Sequence, residues 1–137
     1  MNVALIAHDK KKELMVEFCI AYSGILSKHT IVATGTTGSL VSEATGLKIQ
    51  KFLTGPQGGD QQIGARIAYN ELDMVLFFAD PSGNESLADV QEISKLCDQH
   101  NIPFASNIAT AEMLILGLSR GDLDWRLIVN PRSRPIA

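Results

Sequence analysis

The segment Leu53-Thr54-Gly55-Pro56-Gln57-Gly58-Gly59-Asp60-Gln61-Gln62 has the composition of a loop that joins a β-strand to an α-helix. An apolar run precedes it and a helix-like segment follows it. Its glycines allow the backbone to turn tightly and to approach a ligand closely. Ligands of α/β proteins bind beyond the carboxyl ends of the strands. We therefore expect the carboxylate of this segment, Asp60, to lie in a binding site.

Similar strand-to-helix units repeat along the rest of the chain. The apolar runs are short and nearly uniform, which is typical of parallel strands covered on both faces. The predicted strands are Asn2–Ala7, Thr30–Thr34, Ile49–Leu53, Met74–Phe78, Pro103–Ser106 and a further short run, Arg126–Val129. Apolar residues recur at helical spacing between these runs. We predict an α/β fold of three α/β/α layers around a mostly parallel sheet of about five strands.

Length, composition and charge exclude several classes of protein. With 137 residues, 45% of them hydrophobic and 20% charged, the chain suits one domain over residues 1–137. A net charge of −3 implies no general affinity for nucleic acid or membrane surfaces. No apolar run reaches the roughly 20 residues that a membrane span needs. The first residues lack the basic region of a signal peptide, so we expect a cytoplasmic location.

The cysteines and the loop motifs exclude most cofactor chemistry. Cys19 and Cys97 fall on apolar faces of predicted helices, so we interpret them as reduced core residues. No cluster of histidine, cysteine and carboxylate residues has the spacing of a metal site, so no metal is predicted. The chain has neither a P-loop motif nor a dinucleotide-binding fingerprint.

Most of the distinctive polar residues follow the ends of predicted strands. Because the carboxyl ends of parallel strands lie at one edge of a sheet, these residues are expected to converge there. The residues after the first five strands are His8-Asp9, Thr34 to Gly38, Thr54 to Asp60, Asp80 to Gly83 and Ser106-Asn107. This convergence predicts the site more strongly than any single motif does.

The segment Thr34-Gly35-Thr36-Thr37-Gly38 passes from a strand into a helix. A helix N-terminus presents unpaired amides and the positive end of the helix dipole, which favours a phosphate. Threonine is also an ordinary N-cap, so this motif alone leaves both interpretations open. Lys12 is the lysine best placed to add a positive charge to a bound phosphate.

His8 and Asp60 are the candidates for the chemistry itself. A neutral imidazole at the end of the first strand can donate a hydrogen bond to a substrate carbonyl oxygen. Asp60 is a candidate acid or base, and an N-cap role is the alternative. Asp80 and Asp89 also fit turn and cap positions, Asp80 because Asp-Pro initiates turns.

At these residues the chain resembles the methylglyoxal synthase family. The similarity runs from Asn2 to about Leu116, and the segment from about residue 120 to 137 diverges. The matching motifs are Ala7-His8-Asp9, Ala33 to Gly38, Gly55 to Gln62, Phe77 to Pro81 and Asn101 to Ala111. The resemblance implies conversion of dihydroxyacetone phosphate to methylglyoxal and inorganic phosphate without a metal or organic cofactor. It also implies a homohexamer.

The resemblance assigns roles to residues of this chain. Asp60 is similar to the carboxylate that removes a proton from substrate carbon, His8 to a histidine that contacts substrate, and Asp89 to a second important carboxylate. The set that matches the family's phosphate and substrate contacts is His8, Lys12, Thr34, Gly35, Thr36, Thr37, Thr54 and Gly55. Further residues that the resemblance places near the site are Asp9, Asp80, Ser86, Arg132 and Arg134.

The chain departs from the family pattern in the loop before Asp89. Relatives typically carry a substrate-contacting histidine at the position of Ser86, and this loop is one residue shorter here. A serine hydroxyl can hydrogen-bond but does not titrate near neutral pH. Arg132 or Arg134 corresponds to a tail arginine that reaches the phosphate of a neighbouring subunit in relatives.

Three functions are compatible with these residues. Methylglyoxal synthase ranks first. A lyase that acts on another phosphorylated keto compound ranks second. A non-catalytic module that senses phosphate or sugar phosphates ranks third. It is a candidate because similar domains act as regulatory units in carbamoyl phosphate synthetase. Retention of both Asp60 and His8 favours the enzyme, since a sensor needs phosphate donors but no base.

Overall fold

The computed structural model describes residues 1–83, 85 and 87–130. The strands are β1 (Asn2–Ala7), β2 (Thr30–Ala33), β3 (Ile49–Lys51), β4 (Met74–Phe78) and β5 (Phe104–Ala105). The helices are α1 (Lys12–Ala21), α2 (Ser23–Leu26), α3 (Gly35–Thr45), α4 (Gly59–Ala68), α5 (Ala88–Gln99), α6 (Ile108–Arg120) and α7 (Trp125–Val129). Short 3₁₀ turns lie at Asp9–Lys11 and Gly55–Gln57.

The strands form one sheet with the order β3-β2-β1-β4-β5, and every described pairing is parallel. Strands that follow one another in the chain are joined through helices, as parallel pairing requires. The predicted α/β/α architecture with a parallel sheet of about five strands is therefore confirmed. From β1 the chain first adds β2 and β3 on one side and then β4 and β5 on the other. The crevice at this switch point, at the carboxyl end of β1, is the expected ligand position.

Alternate residues of each strand supply two separate cores. Val3, Leu5 and Ala7 of β1 pack with α1, α3 and α6 on one face of the sheet. Ala4 and Ile6 pack with α4 and α5 on the other face. Because successive side chains of a strand point to opposite faces, a strand buried on both faces is apolar at every position. This explains the uniform runs in the sequence.

The two cysteines lie in different cores. Cys19 of α1 packs on one face of the sheet and Cys97 of α5 on the other. Both are buried and free, and burial raises the pKa of each thiol to about 12. Their prediction as reduced core residues is confirmed.

The prediction of a strand at Arg126–Val129 is wrong, because this segment belongs to helix α7. Arg126 is only 1% exposed, and its Nε donates to Asp73 Oδ1 at 2.9 Å. The guanidinium also donates to the side chain of Asn70 and to backbone carbonyls of Leu72, His100 and Asn101. This network of long-range contacts fixes the segment as a helix at the edge of the sheet where β1 and β4 begin.

Candidate active site

A cleft of about 560 Å³ lies at the carboxyl ends of β1, β2 and β4. Its lining consists of Ile6, Ala7, His8, Asp9, Lys12, Thr34, Thr36, Thr54, Gly55, Pro56, Asp60, Phe77, Glu85, Ala88 and Asp89. The sequence predicted a site at the carboxyl ends of the strands, and the cleft lies at these ends.

The structure brings most of the predicted site residues together. Those that line the cleft are His8, Asp9, Lys12, Thr34, Thr36, Thr54, Gly55, Asp60 and Asp89. Gly35, Thr37 and Asp80 are not part of the lining, although each is adjacent in the chain or hydrogen-bonded to a residue that is. Ser86, Arg132 and Arg134 lie outside the described residues.

His8 follows β1 and is buried. Its Nδ1 accepts a 2.9 Å hydrogen bond from the backbone N–H of Asp80. Because a backbone amide only donates, Nδ1 carries no proton and the neutral ring carries its proton on Nε2. Nε2 lies 3.5 Å from Asp89 Oδ2 and makes no hydrogen bond with a described residue. The ring therefore presents an N–H donor to the cleft.

Asp60 is the second residue of α4, and Gly58 occupies the N-cap position with a φ of 108°. The N-cap interpretation of Asp60 is therefore wrong. Only glycine readily adopts such a φ, and it allows the chain to turn directly into the helix. The Asp60 carboxylate faces Gly55 across the loop, where a Cβ added to Gly55 would lie 3.6 Å from Asp60 Oδ1.

The pKa of Asp60 is raised from 3.8 to about 6. Burial is the main cause, and a hydrogen bond with and repulsion from the Asp89 carboxyl group add to it. His8 and Lys12 lower the pKa and so oppose these effects. Oδ1 of Asp60 is buried without a partner among the described residues. A carboxylate with a pKa near neutrality is suited to abstract a proton from a substrate.

Asp89 lies in the first turn of α5 and links the two groups just described. Its Oδ2 lies near His8 Nε2, and its Oδ1 accepts from the backbone N–H of Val90 at 2.8 Å. The three ionisable side chains of His8, Asp60 and Asp89 thus form one cluster at the base of the cleft. Such a cluster of interacting groups is typical of catalytic sites.

Lys12 brings a positive charge to the cleft. Its Nζ donates to the carbonyl oxygen of Ala7 at 2.7 Å and lies 3.0 Å from Asp9 Oδ1. These contacts hold the ammonium group at the first turn of α1, next to His8. A fixed ammonium group of this kind can bind a phosphate as a point charge.

The N-terminus of α3 supplies amide donors. Thr34 precedes the helix, and Thr36 is exposed in the cleft. The first residues of an α-helix have no carbonyl partners within the helix for their N–H groups. The N–H of Gly35 donates instead to the carbonyl of Leu53 at 3.1 Å, so it is not offered to the cleft. Thr37 is buried, and its hydroxyl has no partner among the described residues.

Glu85 is a lining residue to which the sequence analysis assigned no role. Its Oε2 accepts a 2.8 Å hydrogen bond from the backbone N–H of Asp9. The only signal in the sequence was its position in the loop that follows β4, where strand-end residues converge. The contact itself depends on the path of that loop.

Metal-binding and membrane-spanning features are absent from the described part of the chain. Within residues 1–83, 85 and 87–130, no group of at least three histidine, cysteine or carboxylate residues is arranged to hold a metal ion. Among the same described residues, no helix is long and apolar enough to cross a membrane.

Comparisons with known proteins show which family this chain resembles. The family model for the MGS-like domain matches residues 14–106. A methylglyoxal synthase from Caldicellulosiruptor saccharolyticus is 65% identical over 96% of this chain and 94% of its own length. One from Oceanobacillus iheyensis is 57% identical over 96% of this chain and 95% of its own length.

A solved structure of a methylglyoxal synthase from Elizabethkingia anophelis NUHP1 is similar in fold. Its TM-score is 0.79 at 41% identity, and the match covers 83% of this chain and 76% of that one. Sequence, family model and fold therefore agree, and the chain belongs to the methylglyoxal synthase family.

Proposed function

We propose that this chain converts dihydroxyacetone phosphate to methylglyoxal and inorganic phosphate by enolisation and elimination. As a member of the methylglyoxal synthase family it is a lyase. The observation that carries the mechanism is the cluster of Asp60, Asp89 and the Nε2 of His8 in one cleft beside the N-terminus of α3. This arrangement supports the roles of a base, a hydrogen-bond donor and phosphate-binding amides around one substrate-sized space.

Enolisation is the first step. Asp60 removes a proton from the hydroxymethyl carbon next to the ketone, and its raised pKa makes it a stronger base than an exposed carboxylate. The electron pair moves onto the carbonyl oxygen. The Nε2–H of His8 donates to that oxygen and stabilises the developing charge, as an oxyanion hole does.

Elimination of phosphate is the second step. The enediolate expels phosphate when the C–O bond stands perpendicular to the enediolate plane, and the hydroxyl proton leaves as the aldehyde forms. Lys12 and the amides of Thr36 and Thr37 hold the phosphate in that orientation and stabilise the departing anion. The remaining enolate takes a proton on its terminal carbon to give methylglyoxal. His8 is the imidazole available to move protons here, and Asp89 or Asp80 assists it.

The charge of the cleft argues for an oligomer. Its described lining has the carboxylates of Asp9, Asp60, Glu85 and Asp89 but only the ammonium group of Lys12. A dianionic phosphate ester is poorly matched to this balance. We propose that an arginine of the tail, Arg132 or Arg134, supplies the missing charge to a neighbouring copy, within a homohexamer as the resemblance implies.

The anchor of the tail supports this assignment. Asn130 donates from Nδ2 to the carbonyl of Asn70, at the edge of the sheet opposite the cleft. The five residues of β4 span about 16 Å from the end of the sheet where the strands begin to the end that carries the cleft. The last described residue before the tail is thus held about one strand length away from the cleft.

Mixed oligomers test this arrangement. Chains with Asp60→Asn and chains with Arg132→Gln and Arg134→Gln are each inactive under the proposal. Refolding the two together restores part of the activity if one copy completes the cleft of another. Activity that stays absent in the mixture, in oligomers shown to contain both chains, contradicts the shared site.

The reaction is tested by incubating the purified chain with dihydroxyacetone phosphate and following both products. We expect phosphate and methylglyoxal in equimolar amounts. Phosphate release without methylglyoxal would indicate a different elimination. No release together with tight phosphate binding in a calorimeter would indicate a sensing module. The single-domain organisation and the cytoplasmic location stay predictions.

A further inference from the structure

The backbone of Leu53 lies between the two loops that build the cleft. Its N–H donates to the side-chain Oε1 of Gln62 at 2.7 Å. Its carbonyl oxygen accepts from the N–H of Gly35 at 3.1 Å. Gln62 belongs to α4, which carries Asp60, whereas Gly35 begins α3, whose first turn faces the phosphate position. The backbone of one residue therefore connects both helices.

The same carbonyl also contacts the first turn of α4. A side-chain carbon on Gly59 would overlap the carbonyl oxygen of Leu53 and would lie 3.0 Å from a methyl group of Thr34. The backbone of α4 thus packs directly on the Leu53 carbonyl, one residue before Asp60. Any movement of the Leu53 backbone changes the position of Asp60 relative to the N-terminus of α3.

We propose that Gln62 is a positioning residue for the reaction of the cleft. Its side chain is not part of the cleft lining, so it does not touch substrate. By holding the Leu53 N–H it fixes the distance between the base on α4 and the phosphate donors on α3. The inference rests on the proposed function, because it concerns how that site is held.

The Leu53 N–H depends on Gln62 because β3 ends before Leu53. The strand ends at Lys51, and its pairing with β2 continues through the Phe52 N–H, which donates to the Ala33 carbonyl at 2.8 Å. The next amide, that of Leu53, binds the side chain of Gln62 instead of a strand neighbour. Because the contact is exposed, water can replace it without unfolding the protein. Its loss therefore loosens the loop more than it destabilises the fold.

The expected kinetic signature is a change in kcat rather than in KM. A displacement of about 1 Å of a reacting group can lower a rate up to about 100-fold. The phosphate donors stay in place, since α3 packs on the core through Val41 and its first turn closes from the Gly38 N–H to the Thr34 carbonyl, contacts that do not involve Gln62. Substrate and phosphate affinity therefore change little.

The test compares Gln62→Met, Gln62→Glu and Gln61→Met in the full chain. Methionine keeps the length of the side chain but removes the acceptor, whereas glutamate keeps an acceptor oxygen. The neighbouring exposed Gln61 provides the matched control. We expect Gln62→Met to lower kcat about tenfold with KM and phosphate inhibition within about threefold. We expect Gln62→Glu to recover most of kcat and Gln61→Met to behave as the unsubstituted chain.

A second readout needs no activity. Hydrogen exchange of the Leu53 amide should be about tenfold faster in Gln62→Met and slow again in Gln62→Glu. If the unsubstituted chain gives no turnover, the proposed reaction fails and this exchange pattern alone tests the role of Gln62. Equal kcat in Gln62→Met and Gln61→Met, an equal loss in the methionine and glutamate variants, or unchanged Leu53 exchange would overturn the inference.

Discussion

The imidazole of His8 accepts the backbone N–H of Asp80 on Nδ1, 72 residues further along the chain. The contact joins the end of β1 to the loop after β4 and fixes the tautomer of the ring. It leaves the Nε2–H directed at the cleft, beside Asp89. This backbone donor is present with any residue except proline at position 80, so the tautomer does not depend on the Asp80 side chain.

The first prediction concerns this donor. We expect ¹⁵N NMR at neutral pH to find Nε2 of His8 protonated and Nδ1 unprotonated. His8→Ala should lower kcat by about 10²–10³-fold, the loss typical for removal of one such donor. His8→Gln, whose amide nitrogen replaces Nε2, should lose less. A ring protonated on Nδ1, or full activity in His8→Ala, would contradict the role of His8.

The second prediction concerns the pH dependence of the reaction. Asp60 must be ionised to act as a base, so kcat/KM should fall about tenfold for each pH unit below about 6. Asp89→Asn removes the repulsion but not the burial, and burial is the larger cause. The midpoint should therefore move part of the way toward lower pH, whatever the remaining rate. An unmoved midpoint would show that Asp89 does not influence Asp60.

The third prediction concerns stability. A raised pKa means that the folded state binds the Asp60 proton more tightly than the unfolded state does. The stability from the protonated carboxyl group is fully present below its unfolded pKa of 3.8 and is lost as pH rises through about 6. Asp60→Asn stays neutral at every pH. After a discount for the partial exposure of Asp60, it should be about 1 kcal/mol more stable than the unsubstituted chain at pH 8.

Chemical denaturation at pH 4 and pH 8 checks this difference. The advantage of Asp60→Asn should be present at pH 8 and nearly absent at pH 4. A variant that is less stable than the unsubstituted chain at pH 8 would show that the ionised carboxylate is not strained by its surroundings.

The fourth prediction concerns the buried pair of Arg126 and Asp73, of which the arginine is 1% and the aspartate 0% exposed. Arg126→Met leaves the Asp73 carboxylate without this partner and should lower the free energy of unfolding by about 3–5 kcal/mol. The control is Arg120→Met, which breaks the exposed pair with Asp122 and should cost less than about 1 kcal/mol. Equal losses in thermal denaturation would contradict the structural role of Arg126.

Much of the fold was predictable because its strands are buried on both faces. The predicted bounds of Asn2–Ala7 and Met74–Phe78 are those of β1 and β4. Strands at the edges of the sheet are shorter than predicted, as at Phe104–Ala105, because fewer neighbours hold their ends. Arg126–Val129 was assigned wrongly because its environment comes from residues distant in sequence.

The candidate site was predictable where it depends on strand ends. His8, Thr34 and Thr54 each follow a predicted strand or close it, so the parallel sheet brings them to one edge. The contact between Glu85 and the Asp9 amide depends on a loop conformation that no short pattern encodes. The engagement of the Gly35 amide by Leu53 likewise results from the packing of two loops.

The central claim is that Asp60 acts as the base whereas other residues bind the phosphate. One variant tests this claim most directly. In Asp60→Asn, turnover of dihydroxyacetone phosphate and phosphate binding are measured in the same preparation. We predict that turnover falls by at least about 10³-fold, since the base is removed, while phosphate binds within about threefold of the unsubstituted chain. Retained turnover, or loss of phosphate binding together with turnover, would contradict the account.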